Sequence, residues 1–290
     1  MQQIIEVVFG GIAQGAVYCV IAVGLSMVYG TARVLNFAHG SLYTAGGYIC
    51  WVLTAGYLGL PLWAGILLLI PILFLIGVAL ERGIVRPLRA GPNWKTTIMM
   101  ATLGLAFLLD NLFQVMFGAV PQVIPAFADG TVQVLGTTIA IYRLWMLMIA
   151  LGIVLALEVF LTATMFGQAV RAVAQDMQGA AQVGIDVNQV FAFTFGLSVV
   201  LTGLAGVLLA PLYLVSPLGG WAPFLKAFVI VVFGGLGSTR GACIAAFLLA
   251  LIEAFVVFYV GPVWTLPIWL LTLLVVLMVR PKGLLGKWEA

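Results

Sequence analysis

The tightest constraint on this chain is the length and spacing of its apolar runs. Residues 4–29, 41–58, 61–80, 96–118, 144–163, 189–215, 224–236, 242–260 and 264–279 each carry at most one charged residue, and short polar breaks separate them. Crossing a bilayer takes about 20 mainly apolar residues. In lipid the backbone must satisfy its own hydrogen bonds, which makes helices the form for such runs. Charged residues are 7% of the 290, against about 25% in a soluble domain. The chain reads as an all-α integral membrane protein with eight or nine crossings. No polar stretch is long enough to fold alone, so 1–290 reads as one transmembrane domain. Two runs depart from a plain span. The seventh is short and ends in Gly234-Gly235-Leu236-Gly237, as half a helix would. The second contains Gly46-Gly47 and follows the polar break at 30–40.

The basic residues orient the chain. Arg82, Arg86, Arg89 and Lys95 follow the third run, and Arg171 lies in the polar segment after the fifth. Arg280, Lys282 and Lys287 close the chain, and Arg33 and Arg240 fall in loops of the same parity. Positive charge collects on the cytoplasmic side, so the N-terminus is expected outside and the C-terminus inside. The loop 119–142 has Asp129 and no Lys or Arg, and it falls outside with Lys226. Gln2, Gln3 and Glu6 stand where a signal peptide would carry basic residues, so the first run is expected to be retained. Cys19, Cys50 and Cys243 sit in apolar runs at unrelated spacings and read as small hydrophobes, with no sign of disulfide or metal. The basic residues track the loops, which gives no reason to invoke nucleic acid.

Between the fifth and sixth runs lies a polar, helix-compatible segment, residues 167–186. Val170, Val173, Met177, Ala180 and Gly184 recur at spacings of three and four and share one helical face. Gln168, Arg171, Gln175, Gln178 and Gln182 lie elsewhere around it. A helix resting on lipid carries bulky apolar residues and a basic polar face. This one has small residues and a single Arg, which favours docking to a soluble partner.

No catalytic constellation stands out. Gly91-Pro92-Asn93-Trp94-Lys95-Thr96 lacks the glycine before lysine of a phosphate-binding loop. There is one histidine, no zinc spacing and no nucleophile with a base, so an enzyme is not expected. Charges inside spans are costly and face protein or water. Asp110, with Asn111 beside it and Gln114 one turn on, forms a polar face that is a substrate or gating candidate; an interhelical hydrogen bond is the alternative. Glu158 lies near a span end and can snorkel, and Glu253 is isolated in mid-span, where a structural partner is the default. The break Gly30 to Ser41 is either a cytoplasmic loop or a dip into the protein. The dip is favoured, because broken helices expose backbone groups to substrate; Asn36, His39 and Ser41 would then line the path. Gly11 with Gly15, Gly203 with Gly206, and Gly237 to Gly241 read as close helix contacts.

Taken together these segments resemble the permease subunits of ABC importers for branched-chain and other hydrophobic amino acids. The resemblance runs nearly end to end. It is carried by Asn36-Phe37-Ala38-His39-Gly40, Glu81-Arg82 with Arg86-Pro87-Leu88-Arg89, and Gly167 to Asp186. It continues through Gly203-Leu204-Ala205-Gly206-Val207-Leu208, Gly234-Gly235-Leu236-Gly237-Ser238 with Gly241-Ala242, and the tail Pro281 to Gly286. Sugar permeases of the wider superfamily are similar only in the docking and glycine-rich parts. The resemblance implies a type II importer fold and a second, similar permease alongside. It further implies two cytoplasmic ATPase subunits that use the ATP, a periplasmic binding protein, and no cofactor on this chain. It makes 167–186 the coupling helix, with Arg171, Ala172, Gln175, Asp176, Ala180, Ala181 and Gly184 fitting a groove on the ATPase. Two positions depart from the pattern. Ser41 stands where an acidic residue is common, and Thr239-Arg240 stand where an apolar residue and proline are expected. Loss of a carboxylate near the path would suit a cargo without an ammonium group, such as an organic acid, amide or urea. A stand-alone secondary transporter using Asp110 and Glu253 is the rival from another class.

Overall fold

The computed structural model describes residues 2–134, 137–280 and 282–285. Helix α1 spans Gln2–Ala32, α2 His39–Trp51 with a π turn Val52–Gly56, α3 Leu62–Leu88, and α4 Trp94–Phe117. An antiparallel hairpin of β1 (Thr131–Val134) and β2 (Thr137–Ala140) precedes α5 (Ile141–Ala163). Two short helices follow, α6 (Met165–Gln175) and α7 (Met177–Gln182). Then come α8 (Val187–Tyr213), α9 (Trp221–Gly234), α10 (Thr239–Tyr259) and α11 (Thr265–Val279), the last entered through a 3-10 turn Pro262–Trp264.

Among the described residues seven helices are long and apolar enough to cross a membrane: α1, α3, α4, α5, α8, α10 and α11 with its 3-10 turn. The all-α membrane class expected from the apolar runs holds, and each run coincides with a helix. The hairpin was not foreseen inside the loop 119–142. Its register pairs Thr131 with Ala140 and Val132 with Ile139. The hairpin sits beside the chain start, where Thr137 Oγ1 donates to the carbonyl of Gln2. This end of the bundle is called the hairpin end, and the opposite end, with Arg33, Arg86, Arg89 and Arg171, the basic end.

Helices α1 and α8 are the buried axis of the bundle. Their small residues let backbones approach closely, which is how helices gain contact in lipid. A Cβ added to Gly46 would fall on the backbone of Gly203, so α2 and α8 touch main chain to main chain. Helices α3, α4 and α11 present broad apolar faces outward; Leu75, Met100 and Leu271 are exposed. Such faces are costly in water and at home in lipid or against another membrane subunit. Cys19 and Cys243, unrelated in spacing, meet across α1 and α10 with sulfurs 2.6 Å apart; all three cysteines are free thiols.

Two elements are half-helices, and they settle the two irregular runs. After α1 ends, Arg33 takes a left-handed turn at φ 52°. The chain then turns back into the bundle, because the ring of His39, first residue of α2, lies against the carbonyl of Ile21. Ile21 is eleven residues back along α1, about 16 Å from its end at 1.5 Å per residue. The break 33–38 is therefore the dip, not a surface loop. On the other side Val215 pairs with Gln122 of the hairpin-end loop. Within six residues the chain reaches Gly220, whose backbone meets that of Gly40. The 14-residue α9 then runs to the basic end, where a Cβ on Gly234 would strike Gly241 of α10. The first turns of α2 and α9 thus meet inside the protein. Lys226, expected on the outer side, lies within α9, in its second turn.

Candidate functional site

The dip is built by the residues that mark its motif. Asn36 Oδ1 accepts from Ala38 N–H at 3.1 Å, a local side-chain turn. Phe37 N–H donates to Thr102 Oγ1 of α4, and its ring packs on Phe224 of α9. The Nε2 atom of His39 lies 2.7 Å from Thr202 Oγ1 and 3.1 Å from the Ile21 carbonyl, fastening α2 to α8 and α1. Gly40 leaves room for Gly220. Asn36, His39 and Ser41 are all buried.

Asp110 of α4 closes the meeting point. Its Oδ1 accepts from Ser41 Oγ at 2.7 Å and its Oδ2 from the indole N–H of Trp221 at 2.8 Å. The carboxylate therefore lies beside the first turns of two half-helices, where the positive ends of their dipoles favour an anion. Two expectations need correction here. Ser41 does not signal a missing carboxylate, because Asp110 brings one to it from α4. Asn111 and Gln114 do not share Asp110's surroundings. Both are exposed, and the Asn111 amide donates to the Phe107 carbonyl on its own helix. Neighbours in sequence sit 100° apart on a helix, so Asn111 turns away from the core that Asp110 enters. Trp221 was not anticipated; it is the first residue of a half-helix and has no sequence motif of its own.

The second intramembrane acid is also paired. Lys226 Nζ donates to Glu253 Oε1 at 2.6 Å and to Tyr18 OH at 2.7 Å, and the ammonium lies 5.0 Å from the Tyr18 ring centre. Gln14 donates to both Tyr18 and Tyr213 hydroxyls. Glu253 is thus held between α1, α9 and α10. Glu158 pairs with Arg240 at 2.7 Å, with both side chains partly in the open. That contact occupies the unusual Arg240, and Ser238 caps α10 by accepting from Gly241 N–H.

At the basic end the segment after α5 is two helices, not one. Thr164 caps α6, and Asp176 leaves helical geometry to cap α7, accepting from Gln178 N–H at 2.9 Å. Asp is a strong N-cap, because its carboxylate satisfies a free N–H. Gly184 follows at φ 88°, and Asp186 caps α8. Gly167, Val170, Val173 and Ala180 face inward and are buried. Met177 and Gly184, expected on that face, are exposed, since the break at 176 resets the helical phase. Arg171, Gln175, Asp176, Ala181 and Gly184 are exposed and Ala172 half-buried. Ala180, predicted to contact a partner, packs instead in this chain's own core.

The pair is bolted to the bundle. Arg33 donates to the Ala174 carbonyl from the end of α1. Gly167 fits the turn from α5 so closely that a Cβ would strike the Phe160 carbonyl. A clamp joins α3 to the start of α8. Glu81, fully buried, takes Arg86 at 3.1 Å and Arg89 at 2.9 Å, and both guanidiniums also donate to Asn188, Arg86 to its carbonyl and Arg89 to its Oδ1. Burial draws the Arg89 pKa below its ordinary value, with Glu81 pulling the other way. Pro87 has no N–H to continue the helix, and the π turn Glu81–Val85 stands just before it.

Comparison with known proteins places this geometry. The family model described as branched-chain amino acid transport system / permease component matches residues 7–279. The high-affinity branched-chain amino acid transport system permease protein LivH of Escherichia coli (strain K12) is 30% identical, over 98% of this chain and 96% of that protein. The permease protein BraD of Pseudomonas aeruginosa is 30% identical over 100% and 96%. A probable LivH permease of Methanocaldococcus jannaschii is 26% identical over 97% and 92%. With one family model covering the bundle from the first helix to the last, the chain belongs to the branched-chain amino acid transport permease family.

Proposed function

We propose that this chain is one permease subunit of an ABC importer in the bacterial inner membrane, carrying branched-chain or other hydrophobic amino acids. A second, homologous permease completes the path. Two ATPase subunits dock at the basic end, in the cytoplasm, and hydrolyse the ATP. A periplasmic binding protein delivers cargo at the hairpin end, where the N-terminus lies. The observation that carries this reading is the α6–α7 pair: exposed on one side, packed into the core on the other, and tied to α1, α5 and α8. A groove closing on it would move the bundle as a lever. Arg171, Ala172, Gln175, Asp176, Ala181 and Gly184 form the contact set. In the same reading Asp110, with Ser41 and Trp221, holds the mid-bundle junction that opens as cargo passes.

The cargo reading without an ammonium group rested on Ser41, and Asp110 at 2.7 Å removes that support. The docking test uses Arg171→Glu and Val183→Asp. Both positions are exposed, and their side chains hold neither cap nor core. Each variant is purified in mild detergent with its partners. The expected result is loss of ATPase subunits with unchanged membrane insertion and unchanged Tm of the permease. Retained ATPase subunits and normal leucine uptake in the double variant would overturn the reading.

A further inference from the structure

A cleft of about 550 Å³ opens among α1, the start of α5, the end of α8 and α10. Its lining carries three charged side chains: Glu6 of α1, which is exposed, Arg143 of α5 and Glu253 of α10. Arg143 stands at its wall, half-buried, close enough to α1 that a Cβ on Gly10 would touch its guanidinium at 3.4 Å. Among the described residues Arg143 makes no ion pair. Glu253 lines the same cleft and is 5% exposed; Lys226 holds its Oε1, while its Oε2 has no hydrogen-bond partner among the described residues. A carboxylate oxygen buried without a donor costs free energy that a ligand can recover. Gln14 and Tyr213 flank it. Gly10 and Gln14 are one helical turn apart, about 6 Å along α1. Arg143 and Glu253 therefore face one opening, with Met146 and Phe258 among the apolar walls.

We infer that this cleft binds a neutral α-amino acid with an apolar side chain as its zwitterion. The ammonium is received by Glu253 Oε2, the carboxylate by Arg143, and the side chain by the apolar walls. A guanidinium suits a carboxylate because its fork of donors matches two oxygens. A bare organic acid would leave Glu253 unanswered, and an amine would leave Arg143 so. Within the importer proposed above, on which this assignment rests, the cleft is where cargo first meets the permease. It lies apart from the Asp110 junction.

The test uses the assembled importer in nanodiscs, without nucleotide or binding protein, titrated with radiolabelled L-leucine. Competitors are 4-methylpentanoate, which lacks the ammonium, and 3-methylbutylamine, which lacks the carboxylate. Uptake by proteoliposomes is measured in parallel. Leucine is expected to bind saturably, and each analogue to compete at least about tenfold more weakly, the scale of one lost charged contact. Arg143→Gln should weaken leucine by about tenfold while narrowing the gap to the amine. Glu253→Gln should narrow the gap to the acid; because it also frees Lys226 and endangers folding, Arg143→Gln, which breaks no ion pair, decides. Uptake that proceeds with leucine binding unchanged in Arg143→Gln, with either analogue competing as strongly as leucine, or with no saturable binding, overturns the cleft and leaves the importer reading intact. An intact complex that takes up no amino acid overturns both.

Discussion

Asp110 shows how a carboxylate survives inside a membrane bundle: each oxygen has a donor, and two helix N-termini lie alongside. Replacing it separates charge from shape. Asp110→Ala leaves the half-buried Trp221 N–H without its acceptor and the Ser41 hydroxyl with only its 3.3 Å bond to the Ala106 carbonyl, a loss of up to about 1–3 kcal/mol for a donor left without a partner. Asp110→Asn keeps one acceptor and should fall between Ala and wild type. Thermal unfolding in detergent should rank wild type, Asn, Ala; an Ala variant as stable as wild type would mean the junction holds nothing together. Glu81→Ala makes the matching prediction at the basic end. It leaves Arg89 without its carboxylate, and breaking a buried pair costs about 3–5 kcal/mol. Loss of Tm should accompany loss of coupling, read as an ATPase rate that no longer responds to cargo. The sequence flagged Asp110 and Glu253 as costly but could not name their partners. Ser41 lies 69 residues from Asp110, Trp221 lies 111 away and Lys226 lies 27 from Glu253, so only the fold brings them together.

At the level of elements, hydropathy located every apolar helix, because lipid leaves the backbone no other way to satisfy itself. Run length and composition also marked the second and seventh runs as irregular, and these are the two helices, α2 and α9, that start half-way. What each glycine does shows in its contacts rather than in composition. Gly46 and Gly104 both lie within helices, yet a Cβ on Gly46 strikes Gly203 while one on Gly104 meets nothing. Gly46→Ala should push α2 off α8 and lower folded yield sharply. Gly104→Ala should be neutral or add about 0.5–1 kcal/mol, because alanine loses less conformational freedom on folding. Comparing the two by fluorescence-detected size exclusion with a heating step tests whether close approach, and not glycine content, builds the bundle. Equal behaviour would refute it. The segment after α5 failed differently. Its three-four spacing was sound up to Val173, but Asp176 prefers capping a new helix to continuing the old one. That choice sent Met177 and Gly184 outward, while Ala180 kept the inward face of Val170 and Val173.

For the molecule as a whole, the asymmetry of charge carries the most weight. Arg33, Arg86, Arg89 and Arg171 gather at the end where α6 and α7 stand out from the bundle, while Asp129 lies near the hairpin at the other. Moving a cluster of fixed cations through the bilayer during insertion is far costlier than moving a loop that lacks them, which supports the proposed orientation with the basic end in the cytoplasm. Lys226 does not oppose this ordering. It is neutralised by Glu253 inside the bundle and never faces either surface as a free charge. The ordering makes a prediction at this scale. In a background with Cys19, Cys50 and Cys243 replaced by alanine, Asp129→Cys should react with a membrane-impermeant maleimide on intact spheroplasts. Gln178→Cys, exposed on α7, should react only after the membrane is opened. Labelling in the reverse order would turn the molecule over. It would also put the α6–α7 pair where no cytoplasmic ATPase can reach it, so one experiment bears on the orientation and on the coupling mechanism that depends on it.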